Sequence, residues 1–84
     1  MNKNINHLYV RKVRETMSKE IMTKREKEVF ELLIKNNSTK EIAIELNISE
    51  KTVRNHISNA MQKLGVKGRA QAVVELIRLG EITL

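Results

Sequence analysis

Along the stretch TKEIAIELNISEKTVRNHISNAMQKL, Thr39 to Leu64, the residues Lys51, Arg54, Asn55, Ser58 and Gln62 recur at helical spacing. On one helix they form a single polar stripe. That stripe offers ammonium, guanidinium, amide and hydroxyl groups and carries no acid. These groups suit the edges of base pairs in a DNA major groove. A guanidinium fork matches guanine O6 and N7, and a carboxamide matches adenine N6 and N7. Val53, Ile57, Ala60, Met61 and Leu64 form a second stripe of the opposite character. A helix with these two faces roots itself in a core by one and presents the other.

Rival chemistries find little to work with. The chain has no cysteine, which excludes disulfides, thiolate chemistry and Cys-based zinc sites. Its two histidines, His7 and His56, lie far apart in sequence, so no protein-built metal site is expected. There is no Gly-rich phosphate loop, no pair of carboxylates in an apolar setting and no nucleophile beside a base. His56 neighbours Asn55 and Ser58, but an exposed helix position accounts for it. Neither an enzyme nor a cofactor is expected. No apolar run approaches the roughly 18 residues of a membrane span, and no secretory signal is visible, which points to a cytoplasmic protein without a membrane partner.

Charge narrows the partner further. Sixteen Lys and Arg against ten Asp and Glu give a net charge of +6 over 84 residues. A basic surface can simply keep a small protein dissolved, but the distribution here is uneven. Lys51, Arg54, Lys63, Lys67 and Arg69 fall in a segment, Lys51 to Val74, that holds no acid. The acids gather instead at Glu26, Glu28 and Glu31, and at Glu41, Glu45 and Glu50. Such polarity suits a polyanion.

The elements that must position the polar stripe can be read from their caps, and they make the fold class all-α. Thr23-Lys24-Arg25-Glu26 is a capping box, opening a helix to about Lys35 that buries Val29, Phe30, Leu32, Leu33 and Ile34. Asn36-Asn37 stops it, because Asn tolerates the left-handed backbone of a helix end. Ser38-Thr39-Lys40-Glu41 opens a second helix with Ile42, Ala43 and Leu46 inward, closed by Asn47. Ser49 caps the third helix, Glu50 suits its first turn and Gly65 stops it. A fourth covers roughly Arg69 to Leu79 and is apolar over most of its circumference. With Ala72, Val73, Leu76 and Leu79 inward, Val74 and Ile77 are left on a second side, flanked by Ala70 and Arg78. An apolar stripe of that kind marks a partner surface, most often a second copy of the same chain. Before these helices, residues 1 to 21 form an N-terminal extension. Ile5, Tyr9, Val13, Met17 and Ile21 allow an amphipathic helix there, with a flexible basic tail as the alternative. Such a helix could also fold over the Val74–Ile77 stripe.

The second and third helices meet the demands of a helix-turn-helix. Two helices crossing closely need a small residue, which Ala43 supplies. The turn needs positive φ four places later, where Asn47 is the most tolerant type after Gly. Val53 and Ile57 are the branched residues that plug one helix into the other. At this density the resemblance is to the LuxR-type DNA-binding domain. It is carried by Met22-Thr23-Lys24-Arg25-Glu26-Lys27-Glu28-Val29-Phe30, Thr39-Lys40-Glu41-Ile42-Ala43, Ser49-Glu50-Lys51-Thr52-Val53-Arg54-Asn55-His56-Ile57 and Lys63-Leu64-Gly65-Val66, within about residues 22 to 84.

The resemblance implies a four-helix fold whose third helix enters the major groove and whose fourth forms a homodimer. It implies that Arg54, Asn55 and Ser58 face bases and that Thr39, Lys40, Lys51, Thr52, Lys63 and Lys67 hold phosphates. Arg69 matches a family arginine of structural role, paired with a glutamate of the first helix such as Glu28. Similarity to short stand-alone members implies a regulator of late sporulation genes, those of the spore coat among them, in the mother cell of a sporulating bacterium. Double-stranded DNA and a second copy of the chain are then the partners, with RNA polymerase a further one. Residues 1 to 21 resemble neither a receiver nor a ligand-binding domain. The alternative is a protein-binding adaptor acting through the apolar fourth helix, for which the acid-free stripe would have no purpose.

Overall fold

Three hydroxyl caps decide where the first three helices begin. The computed structural model of the chain describes residues 22–83. Thr23 Oγ1 accepts from the Glu26 N–H at 3.0 Å, while the Thr23 N–H donates to Glu26 Oε1 at 2.9 Å, and α1 runs over Lys24–Ile34. Ser38 and Glu41 repeat the exchange at 3.1 and 2.7 Å to open α2, Thr39–Leu46. Ser49 Oγ accepts from the Thr52 N–H at 3.0 Å and opens α3, Glu50–Leu64. Each such cap satisfies a donor that a helix start leaves orphaned and contributes about 1 kcal/mol. The fourth helix, α4, Arg69–Arg78, starts at Gly68 without a side-chain cap on that residue. Helix is the only regular structure among the described residues, an all-α fold as the caps and periodicity predict.

The stops also fall where the sequence puts them. Asn36 and Asn47 hold φ of 68° and 57°, and Gly65 holds 70°. At the end of α2 the Ile48 N–H donates to Ala43 O at 3.0 Å, so the left-handed Asn47 lets the chain reverse and close off the helix. This sharp reversal is the turn of the helix-turn-helix.

Helix α3 is central and packs on α1, α2 and α4. Val53, Ile57 and Ala60 are its buried residues. They meet Val29 and Phe30 of α1, Ile42 and Ala43 of α2, and Ala72 and Leu76 of α4 in one core. Leu32, Leu33, Ile34, Leu46, Met61 and Leu64 are partly buried around it. The sequence gives no hint that the chain beyond α4 joins this core. Gly80 turns with φ 75°, and Ile82 then packs inside at 2% exposure.

Two ion pairs fasten α1 to distant parts of the chain. Lys63 Nζ lies 2.8 Å from Glu26 Oε1, and Lys27 Nζ lies 2.9 Å from Glu81 Oε1, with both carboxylates buried. The second is off the hydrogen-bond line and acts chiefly as a Coulombic contact. The amphipathic helix that Ile5, Tyr9, Val13, Met17 and Ile21 allow lies outside the described residues.

Candidate nucleic-acid interface

With Val53, Ile57 and Ala60 held in the core, the opposite side of α3 must face outward. Lys51, Arg54, Asn55, Ser58 and Gln62 are all exposed along it. The structure therefore brings the three expected base readers, Arg54, Asn55 and Ser58, onto one open face of a helix anchored along its whole length. His56, expected at an exposed position, is half-buried beside this face.

The expected phosphate holders fall around the two helix starts. Thr39 Oγ1 donates to Glu50 Oε1 at 3.4 Å, so the N-termini of α2 and α3 lie side by side. Helix N-termini carry partial positive charge and outward-pointing N–H groups, which makes paired starts favourable for phosphate. Lys40 and Lys51 are exposed there, and Thr39 and Thr52 are half-buried. Thr52 Oγ1 lies 2.8 Å from Ser49 Oγ, which fixes its rotamer. Lys67 stands apart, exposed in the link between α3 and α4.

Lys63 has a task that sequence reasoning did not assign. Its ammonium donates to both oxygens of the Glu26 carboxylate, at 2.8 and 3.1 Å. Burial pushes the Glu26 carboxyl up, but the hydrogen bonds from Lys63 and the Thr23 backbone, with the Lys63 charge, outweigh it and leave the pKa lowered from 4.5. A lysine so engaged has less of its charge to offer a phosphate. The expected partner of Arg69 is corrected outright. Glu28 pairs with Arg25 at 3.1 Å, three residues away on its own helix, and Arg69 is exposed at the start of α4 without an α1 glutamate. The competitor one helical turn away reaches Glu28 at a smaller conformational cost.

Residues of α4 form a separate surface. Val74 is 64% exposed and Ala70 is exposed beside it, while Ile77 is half-buried against the core. Arg78 is ion-paired with Glu75. Gly65, Val66, Lys67, Ala70, Gln71, Val74 and Glu75 line an open groove of about 640 Å³ here. Among the described residues no group of His, Asp and Glu is placed to hold a metal, and no helix is long and apolar enough to cross a membrane.

Capped helices, a left-handed asparagine turn and an outward polar stripe define a helix-turn-helix. The chain belongs to the luxR family of bacterial regulatory proteins, which it matches over residues 20–76, and is a DNA-binding transcription regulator rather than an enzyme. Within that family it is 73% identical to the spore germination protein GerE of Bacillus subtilis over 73 residues, 87% of this chain and 99% of that protein. The solved structure of the transcription factor GerE has the same fold, with a TM-score of 0.74 and 63% identity over 75% of this chain and 94% of the other. The transcriptional regulatory protein DegU of Brevibacillus brevis is 52% identical over 60 residues, 71% of this chain but 25% of DegU. The chain thus spans only about a quarter of that longer regulator.

Proposed function

We propose that the chain binds DNA as a homodimer, laying one α3 into each of two successive major grooves. Half-sites then lie about one helical turn apart, roughly 10 bp centre to centre. Residues 22–84 act as the DNA-binding unit and residues 1–21 as an extension to it. Arg54, Asn55 and Ser58 read bases. Thr39, Lys40, Lys51, Thr52 and Lys67 hold phosphates and set the register, which supplies most of the salt-dependent affinity. Lys63 serves this surface mainly by fixing α3 on α1. The observation that carries the reading is the single face of α3, where Arg54, Asn55 and Ser58 are all exposed while Val53 and Ile57 behind them are buried.

Ala70, Val74, Ile77 and Arg78 form the dimer surface, supported by the exposure of Val74 on a helix whose other side is buried. A target set of late sporulation genes, spore coat genes among them, in the mother cell rests on likeness to the spore germination protein. RNA polymerase is the further partner through which a regulator so placed changes transcription.

The test is selection and sequencing from randomised duplex DNA at two salt concentrations. Paired half-sites at one-turn spacing, with affinity falling steeply as salt rises, are expected. Arg54→Ala should cost about 1–3 kcal/mol on the selected site and relax its base preference, whereas Lys51→Ala should weaken all sequences alike. Salt-dependent binding without an enriched motif would reduce the protein to a nonspecific binder.

A further inference from the structure

Helix α3 carries no acid from Lys51 to its end, yet Glu50 places a carboxylate at the edge of the reading face. On charge alone this group lowers attraction for every duplex. Its geometry is less indifferent. Glu50 Oε1 accepts from Thr39 Oγ1 of α2 at 3.4 Å and lies 3.5 Å from Arg54 Nη1, one turn along α3. One oxygen thus joins a residue placed for phosphate with a residue placed for bases. A glutamate four residues before an arginine is also the favourable order on a helix.

We propose that Glu50 is a specificity-determining positioning residue that holds the Arg54 guanidinium in its base-reading orientation, an inference that rests on Arg54 being a base reader. A guanidinium has five N–H donors in a rigid plane, so one edge can stay on Glu50 while another meets a base. The side chains of Glu50 and Arg54 are 44% and 54% exposed, and in water such a pair is weak. DNA displaces that water and makes the contact consequential. On a matched sequence Arg54 bridges Glu50 and the base. On a mismatched one Arg54 swings towards a phosphate and leaves the Glu50 carboxylate unpaired beside the DNA backbone. The penalty falls on the wrong sequence, which is how an unfavourable group raises discrimination.

The experiment uses the full chain with two duplexes of equal length, one selected from a randomised library and one random, at two salt concentrations. Glu50→Gln keeps the shape and removes the charge. It is expected to raise affinity for the random duplex about three- to tenfold and that for the selected duplex less, so that their ratio shrinks at least about threefold. Glu50→Asp keeps the charge but is too short to reach Arg54, and is expected to shrink the ratio without raising random binding. In an Arg54→Ala background neither change should move the ratio further. Melting curves confirm that each variant is folded at the assay temperature. Equal effects of Glu50→Gln on both duplexes, with Glu50→Asp unchanged from the parent, would overturn the proposal and leave Glu50 as a charge at a helix start. If Arg54→Ala itself leaves the ratio intact, the base-reading role fails and this inference with it. If Arg54→Ala collapses the ratio while both Glu50 variants preserve it, only the role of Glu50 is wrong.

Discussion

Lys63 Nζ sits 2.8 Å from Glu26 Oε1, which fastens the last turn of α3 to the first turn of α1. The same Glu26 oxygen accepts from the Thr23 N–H, so one carboxylate serves a helix cap and an interhelical pair together. Removing one member of a fully buried pair costs about 3–5 kcal/mol, because the other is left uncompensated. The Lys63 side chain is 30% exposed, so water relieves part of this, and Lys63→Ala is expected to cost about 2 kcal/mol. In a domain this small that lowers the melting temperature by roughly 10 °C. The salt slope of DNA binding should change far less than it does in Lys51→Ala. A slope reduced by a full unit with stability intact would return Lys63 to the phosphate set.

The same pair makes stability sensitive to acid. Glu26 has its pKa lowered in the fold from 4.5, so the folded state binds its proton less readily than the unfolded chain. Its contribution is therefore present in full above the unfolded value and is lost as pH falls through the folded one. Melting temperature should drop below about pH 4.5, and the part due to this group should vanish in Glu26→Gln. Thermal melts of parent and variant across pH 2 to 7 compare the two limbs directly. Parallel limbs would mean that other carboxylates govern the acid transition.

Asn47 carries the turn on which the placement of α3 depends, with φ 57° and ψ 48°. Asn47→Gly should be tolerated, since glycine adopts this conformation freely. Asn47→Val should cost about 1–2 kcal/mol or more, because a β-branched side chain clashes with the backbone at positive φ. Urea denaturation of the two variants gives the difference. Near-equal midpoints would show that the turn relaxes to another conformation without loss.

What the sequence made legible divides by distance along the chain. Caps, stops and the two faces of α3 depend on residues within a turn or two, and Thr23, Ser38, Asn47 and Gly65 announce themselves by type and spacing. The Glu26–Lys63 pair joins residues 37 apart, and no local pattern tells a lysine bound for a distant carboxylate from one bound for a phosphate. Glu28 illustrates the converse error, because a partner expected across the fold at Arg69 lost to Arg25 on the same helix. Ile82 was invisible for another reason. It follows a glycine turn, outside any periodic segment, and only the packed fold shows that it is core.

On α4, Ile77 and Val74 differ in what a new charge would disturb. Ile77 lies on the outer stripe by periodicity, yet it is half-buried and packs against the core, so a charge there would threaten the fold as well as an interface. Val74 is 64% exposed, and a charge there can remain in water in the isolated chain. Val74→Asp is therefore expected to leave the melting curve of a monomer nearly unchanged, within about 0.5 kcal/mol as for ordinary surface substitutions. In a dimer paired through this face, two copies of the new carboxylate would meet near the symmetry axis, unpaired and partly desolvated. If the chain pairs through this face as proposed, sedimentation equilibrium should report a dimer mass for the parent and the monomer mass for Val74→Asp. Binding to a duplex with two half-sites should fall at least about tenfold, while binding to a single half-site should be nearly preserved. A dimer mass retained in Val74→Asp would place the self-association surface elsewhere on the molecule, and a monomeric parent would remove the α4 dimer from the reading.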